Sequence, residues 1–266
     1  MAQAVVRARA LMYHGVAAEG GPRDGFPGPA AAAYSVAPAR FGEHLERLAA
    51  ATGRPPGRVN ALTDGTASTG AWLLTFDDGA ASALEAAEQL ARRSWPGHFF
   101  IATDLVGSPG FLGWDDVREL ARVGHVIGSH SCSHPDRMAA CSWEQLLDEW
   151  SRSATVLAEA LGRPVRTASV PGGLYSRSVG RAAAAAGFTT LFTSLPSQRL
   201  GSIDGCLLIG RYAIRRDTSA DEAAAAAAGR PVPWARQRTA WGLRGTAKRI
   251  AGERYEGMRR ALLARR

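Results

Sequence analysis

A chain of 266 residues, 46% of them hydrophobic, with a net charge of +8, is long enough for one α/β barrel or two small domains around a sizeable core. No apolar run approaches the roughly 20 residues of a membrane span, and Cys132, Cys141 and Cys206 are too few for a disulfide framework. From Arg236 onward ten basic residues face only Glu253 and Glu256, a surplus equal to the whole net charge. The basicity therefore belongs to a tail, and with no recognition module in view nucleic acid is not an expected partner.

In chain order, Met1–Ala10 carries Arg7 and Arg9 but no long apolar stretch, so it makes a poor signal peptide. A cytoplasmic location, or the inner face of the membrane, is the expectation. Ala10–Tyr13 reads as a first strand running into His14, and the Gly/Pro/Ala-rich stretch from Gly20 to Ala33 as a surface loop. Phe41, Leu45 and Leu48 recur at helical spacing within Pro38–Thr52. Ala71–Phe76 is a strand, Ala80–Ser94 a helix, Gly97–Ala102 a strand and Trp114–Val123 a helix. His125–Ser129 is again a strand, and Ser142 opens a long helix to Leu161 with Gln145 three residues on, a capping box. Thr167–Val170 (strand), Ser176–Ala186 (helix), Thr189–Thr193 and Leu207–Ile214 (strands) complete the series.

Such β/α alternation over some 200 residues argues for a parallel sheet, doubly wound or closed. In a barrel, functional residues gather at the C-terminal ends of the strands. His14, Asp77, Asp78, His130 and Pro171-Gly172 each follow a predicted strand, which favours the barrel. Residues 1–232 are expected to form it and 233–266 a basic amphipathic tail. In that tail Leu243, Ala247, Ile250, Met258, Ala261 and Leu262 recur at roughly helical spacing. They suit packing against the barrel or peripheral contact with an anionic membrane surface. No signal fixes an oligomeric state.

The chemistry centres on Thr75-Phe76-Asp77-Asp78-Gly79, where an apolar strand ends in two adjacent carboxylates. Two buried carboxylates side by side oppose each other's ionisation, and a cation resolves the conflict. His130-Ser131-Cys132-Ser133-His134 offers two further ligands. One Asp and two His make a three-ligand site with an open position, as in hydrolytic metal centres, leaving the other Asp for acid/base work. The i, i+4 histidines could share one face of a helical turn, although Pro135 opposes a continuing helix. Cys132, at i+2, is expected to point elsewhere. Zinc suits two His and one Asp best, with Co2+, Ni2+ and Mn2+ as alternatives. Trp114 and Tyr175 lie in predicted loops or helix starts on the side of these motifs, where an aromatic face can stack on a substrate or pack the rim.

These stretches, with Leu11-Met12-Tyr13-His14, Gly124–His130 and Val170-Pro171-Gly172-Gly173, resemble the polysaccharide deacetylase family, whose catalytic domain is also called the NodB homology domain. The resemblance runs from about Ala10 to Ile214. It implies a distorted (β/α)7 barrel and metal-dependent hydrolysis of the amide of N-acetylated sugars. By it, Asp77 is the general base, Asp78, His130 and His134 are the metal ligands, and Pro171 and Gly172 border the substrate. Most members take a general acid from a late histidine, but here the late strand reads Leu207-Leu208-Ile209-Gly210-Arg211. The nearest branch, the exopolysaccharide or poly-N-acetylglucosamine deacetylases, uses an N-terminal Tyr-His, which assigns the acid to His14.

One position departs from the pattern. Ser169 stands two residues before Pro171, where many members have the arginine that steadies the base; Arg166 or Arg211 could replace it in space. The expected activity is removal of N-acetyl groups from N-acetylhexosamine units of a polysaccharide or its lipid- or nucleotide-linked precursor. The alternatives are a deacylase or deformylase of another amino-sugar amide, and a non-catalytic carbohydrate-binding or assembly protein. The last is the reading Ser169 favours.

Overall fold

The computed structural model describes residues 7–18, 24–66 and 70–242. Its centre is one curved sheet of nine strands. Six follow in parallel neighbour order: β1 (Ala8–Tyr13), β2 (Ala71–Phe76), β3 (His98–Ile101), β4 (Val126–Ser129), β5 (Thr167–Ser169) and β6 (Thr190–Phe192). They are buried along almost their whole length, the pattern of a parallel sheet covered on both faces.

The expected strand Leu207–Ile214 is two strands. β8 (Cys206–Ile209) pairs with β6, and β9 (Arg211–Ala213) pairs with β1. The break falls at Gly210, where a Cβ would collide with the carbonyl oxygens of Leu195 and Ser197. One stretch of chain thus touches both ends of the curved sheet and acts as the seventh stave of a distorted (β/α)7 barrel. The antiparallel strand β7 (Gly201–Ile203) was not foreseen. It joins β8 through Asp204-Gly205, both at positive φ, a two-residue hairpin turn.

The five expected helices are all present, that of Pro38–Thr52 at its expected bounds and the others up to three residues shorter at an end. A short helix, α1 (Pro29–Ala32), interrupts the expected loop, and α2 (Pro38–Thr52) stops at Gly53 in the left-handed conformation. Next come α3 (Asn60–Thr63), α4 (Ala83–Ala91) and α5 (Trp114–Arg122). In α6 (Trp143–Leu161) the capping box forms as read: Gln145 N–H donates to Ser142 Oγ and Ser142 N–H to Gln145 Oε1. Then follow α7 (Arg177–Ala185), capped by Ser176, and α8 (Ala220–Ala227), which packs on α2.

The last helix among the described residues, α9 (231–242), begins two residues before the expected tail and runs into it. Trp234 is buried and its indole N–H donates to Ala226 C=O, so this part packs on the barrel. The apolar face expected farther along the tail, and its membrane contact, lie outside the described residues. No helix among the described residues is long and apolar enough to cross a membrane.

Candidate active site

The strand ends meet at one mouth of the barrel. Asp77 extends the β1–β2 ladder by one bond, its N–H donating to Tyr13 C=O. Asp78 and Gly79 then both take positive φ, 76° and 77°. That turn swings consecutive carboxylates apart: Asp77 into the barrel, Asp78 toward the loop after β4.

Asp77 is 3% exposed and would be costly there without a partner. Arg211 supplies one. Its Nη1 and Nη2 each donate to a different Asp77 oxygen at 2.7 Å. Nη1 also reaches Thr75 Oγ1, Nη2 reaches Ser169 Oγ, and Nε reaches Thr193 C=O. All five guanidinium donors are therefore used. Ser169 Oγ donates in turn to Asp77 Oδ2. Of the two arginines the sequence offered as substitutes, Arg211 is the one beside Asp77. Burial pushes the Asp77 carboxyl upward, but Arg211, His130 and His14 together hold it below the usual carboxylate range.

The expectation of a helical turn through His130 and His134 is not met. Ser131 and His134 take positive φ, 63° and 57°, which no helical turn contains. The loop is shaped by hydrogen bonds instead. Glu149 on α6 accepts from the backbone N–H of Cys132 and Ser133 at 2.9 and 3.0 Å and from Ser133 Oγ at 2.6 Å. Both imidazoles then face Asp78 Oδ1, from 3.3 Å for His130 Nε2 and 3.4 Å for His134 Nε2. Cys132 is fully buried, a filler as expected.

These three residues suit a divalent ion. Their donor atoms lie within 4.8 Å of one another, and the separations from Asp78 match the edge of about 3.4 Å of a tetrahedron with bonds of roughly 2.1 Å. His130 Nδ1 donates to Ser169 C=O at 2.9 Å, which fixes the tautomer with Nε2 bare, as a ligand requires. Burial pushes the Asp78 carboxyl up, but the neighbouring imidazoles of His130, His134 and His14 carry it well below its ordinary range. Burial likewise opposes charge on His134, and Asp78 outweighs it, so that imidazole is raised.

His14 lines the same cleft as Asp77, Asp78, His130 and His134. Its ring packs on Tyr34 at 4.8 Å, and its buried Nδ1 has no hydrogen-bond partner. Burial lowers its pKa, against the pull of Asp78 and Asp77. Of the expected substrate residues, Gly172 borders the cleft. It has φ 62°, and a Cβ there would come within 2.8 Å of Asp136 C=O. Pro171 is buried behind it, while Trp114 and Tyr175 pack on the hydrophobic core and are not brought to the cleft. Two aromatics that line it beside the histidines, Phe26 against His134 at 4.6 Å and Tyr34 against His14, come from the first long loop and its end. Sequence reasoning passed over them because that loop carries no periodic signal.

The family model described as Polysaccharide deacetylase matches residues 64–191. Among curated proteins no relative matches the chain. Solved structures are similar at low identity. A polysaccharide deacetylase from Bacillus cereus is 21% identical with a TM-score of 0.69, covering 83% of this chain and 69% of its own. A Streptococcus pyogenes deacetylase in complex with acetate is 22% identical with a TM-score of 0.67, covering 82% and 96%. A de-N-acetylase from Aggregatibacter actinomycetemcomitans is 21% identical with a TM-score of 0.65, covering 80% and 97%. At these identities the likeness speaks for the shared fold.

Proposed function

We propose that this chain, whose residues 64–191 match the polysaccharide deacetylase family model, is a metal-dependent hydrolase removing N-acetyl groups from N-acetylhexosamine units of a polysaccharide or its lipid- or nucleotide-linked precursor. The observation that carries this reading is the meeting of Asp77, Asp78, His130, His134 and His14 in one cleft. Asp78, His130 and His134 would hold the ion, zinc by preference. Such an ion supplies Lewis acidity, activating water and polarising an amide carbonyl.

The chain's own groups do the proton work. Asp77, kept ionised by Arg211, accepts the proton of the attacking water. The bidentate grip fixes the direction of its carboxylate and leaves each oxygen lone-pair capacity for that proton. His14 donates to the leaving amine; burial, which lowers its pKa, makes its protonated form the stronger donor. Arg211 beside Asp77 answers the departure at Ser169, which had been the support for a non-catalytic reading.

Acetate release from N-acetylglucosamine oligomers, before and after chelation and after zinc is restored, tests the proposal. Release abolished by chelation and returned by zinc is expected. Acetate release indifferent to chelation would overturn the metal-dependent reading.

A further inference from the structure

The cleft extends well past the Asp–His cluster. Its volume of about 1170 Å³ exceeds the roughly 300–1,000 Å³ of a pocket for one small molecule, and its lining includes residues of α9 besides His14 and Asp78. One wall is α9, whose Arg236, Thr239, Ala240 and Trp241 line the cleft; the first three share one helical face by their i, i+3 and i+4 spacing.

That wall is anchored at two points. Trp234 is 5% exposed and tied to Ala226 C=O at 3.0 Å. The Gln237 side-chain amide pairs both ways with the backbone of Ala213, accepting from its N–H at 2.7 Å and donating to its C=O at 2.8 Å. It thereby occupies the free edge of β9 as a neighbouring strand would. Of the exposed large hydrophobic side chains among the described residues, Trp241, at 38% exposure, is the one that lines the cleft. On the cleft floor the Arg215 guanidinium lies over the Tyr34 ring at 5.4 Å. Flat aromatic faces interleaved with guanidinium donors suit a pyranose, which offers an apolar C–H face and a rim of hydroxyl acceptors.

Resting on the deacetylase reading, we propose that α9, through Arg236 and Trp241, forms a sugar subsite beyond the reacting unit. The preferred substrate is then an oligosaccharide chain rather than a single free or nucleotide-linked sugar.

The test uses the full chain and N-acetylglucosamine disaccharides and pentamers in 1,4 and 1,6 linkage. Calorimetric binding to the metal-free protein is measured for the wild type, Trp241→Ala and Arg236→Ala, with acetate release by the zinc-restored protein in parallel. The expected result is tighter binding of a pentamer than of the disaccharide by the wild type, with the pentamer affinity falling about tenfold in Trp241→Ala and falling also in Arg236→Ala. Equal affinity for both lengths, pentamer affinity unchanged in both variants, or no pentamer binding in either linkage would overturn the subsite. Length-selective, Trp241-dependent binding without acetate release would support the subsite and count against the deacetylase reading, so the two failures are distinguishable.

Discussion

Arg211 grips both carboxylate oxygens of Asp77 at 2.7 Å from a strand 134 residues farther along the chain. Both side chains are buried. Lysine offers a point charge without the fork that matches a carboxylate, so Arg211→Lys should lower kcat by about 100-fold through loss of alignment. Arg211→Met leaves a buried carboxylate unpaired and should cost about 3–5 kcal/mol of stability. Because Arg211 holds the Asp77 carboxyl down, weakening the grip raises that pKa. The acid limb of kcat/KM should therefore move to higher pH in Arg211→Lys. Steady-state pH profiles check this, and an unmoved limb contradicts it.

Glu149 is the structural support of the histidine loop, since it holds the Cys132 and Ser133 backbone from α6. Glu149→Ala frees those N–H groups and should weaken metal binding by about 10–100-fold, the range for partners that orient ligands. Glu149→Gln, which keeps an acceptor, should fall between. Competition with a chromogenic chelator reads the affinity; equal values in all three proteins rule the role out.

At the opposite end of the barrel, His98 is fully buried, its Nδ1 donating to Leu74 C=O while Nε2 accepts from Val59 N–H. Burial lowers its pKa to about 4, and that of His125 likewise to about 4. The unfolded chain takes up these protons near pH 6.5, so their contribution to stability is complete above that value and declines as pH falls toward 4. For His98 alone the loss by pH 4 is about 3 kcal/mol. Urea unfolding at pH 7, 5.5 and 4.5 should show this decline, and a flatter one in His98→Gln. Identical slopes in the two proteins contradict it.

Much of this was legible in the sequence because it is local. The strands ending at Phe76 and Ser129 and the helix capped by Ser142 each follow from a pattern within a few residues of themselves. The pairing of Arg211 with Asp77 is not local. It depends on β9 aligning with β1, Ala10 opposite Arg211, after Gly210 breaks the last stave, and the sequence could only offer Arg211 beside Arg166. The histidine loop misled for a related reason, since i, i+4 spacing suggests a helix, whereas Ser131 and His134 take positive φ in a turn fastened by Glu149. Trp114 and Tyr175 were placed near the mouth by their loop and helix-start positions on the motif side, but both pack, partly buried, against the core.

The division of labour between the paired aspartates is tested most directly by Asp77→Asn and Asp78→Asn side by side, with bound zinc counted by mass spectrometry and acetate release assayed on the same samples. Asp77→Asn should retain zinc and lose turnover, whereas Asp78→Asn should lose both. Full activity in Asp77→Asn, or zinc and activity both retained in Asp78→Asn, would contradict the roles assigned here.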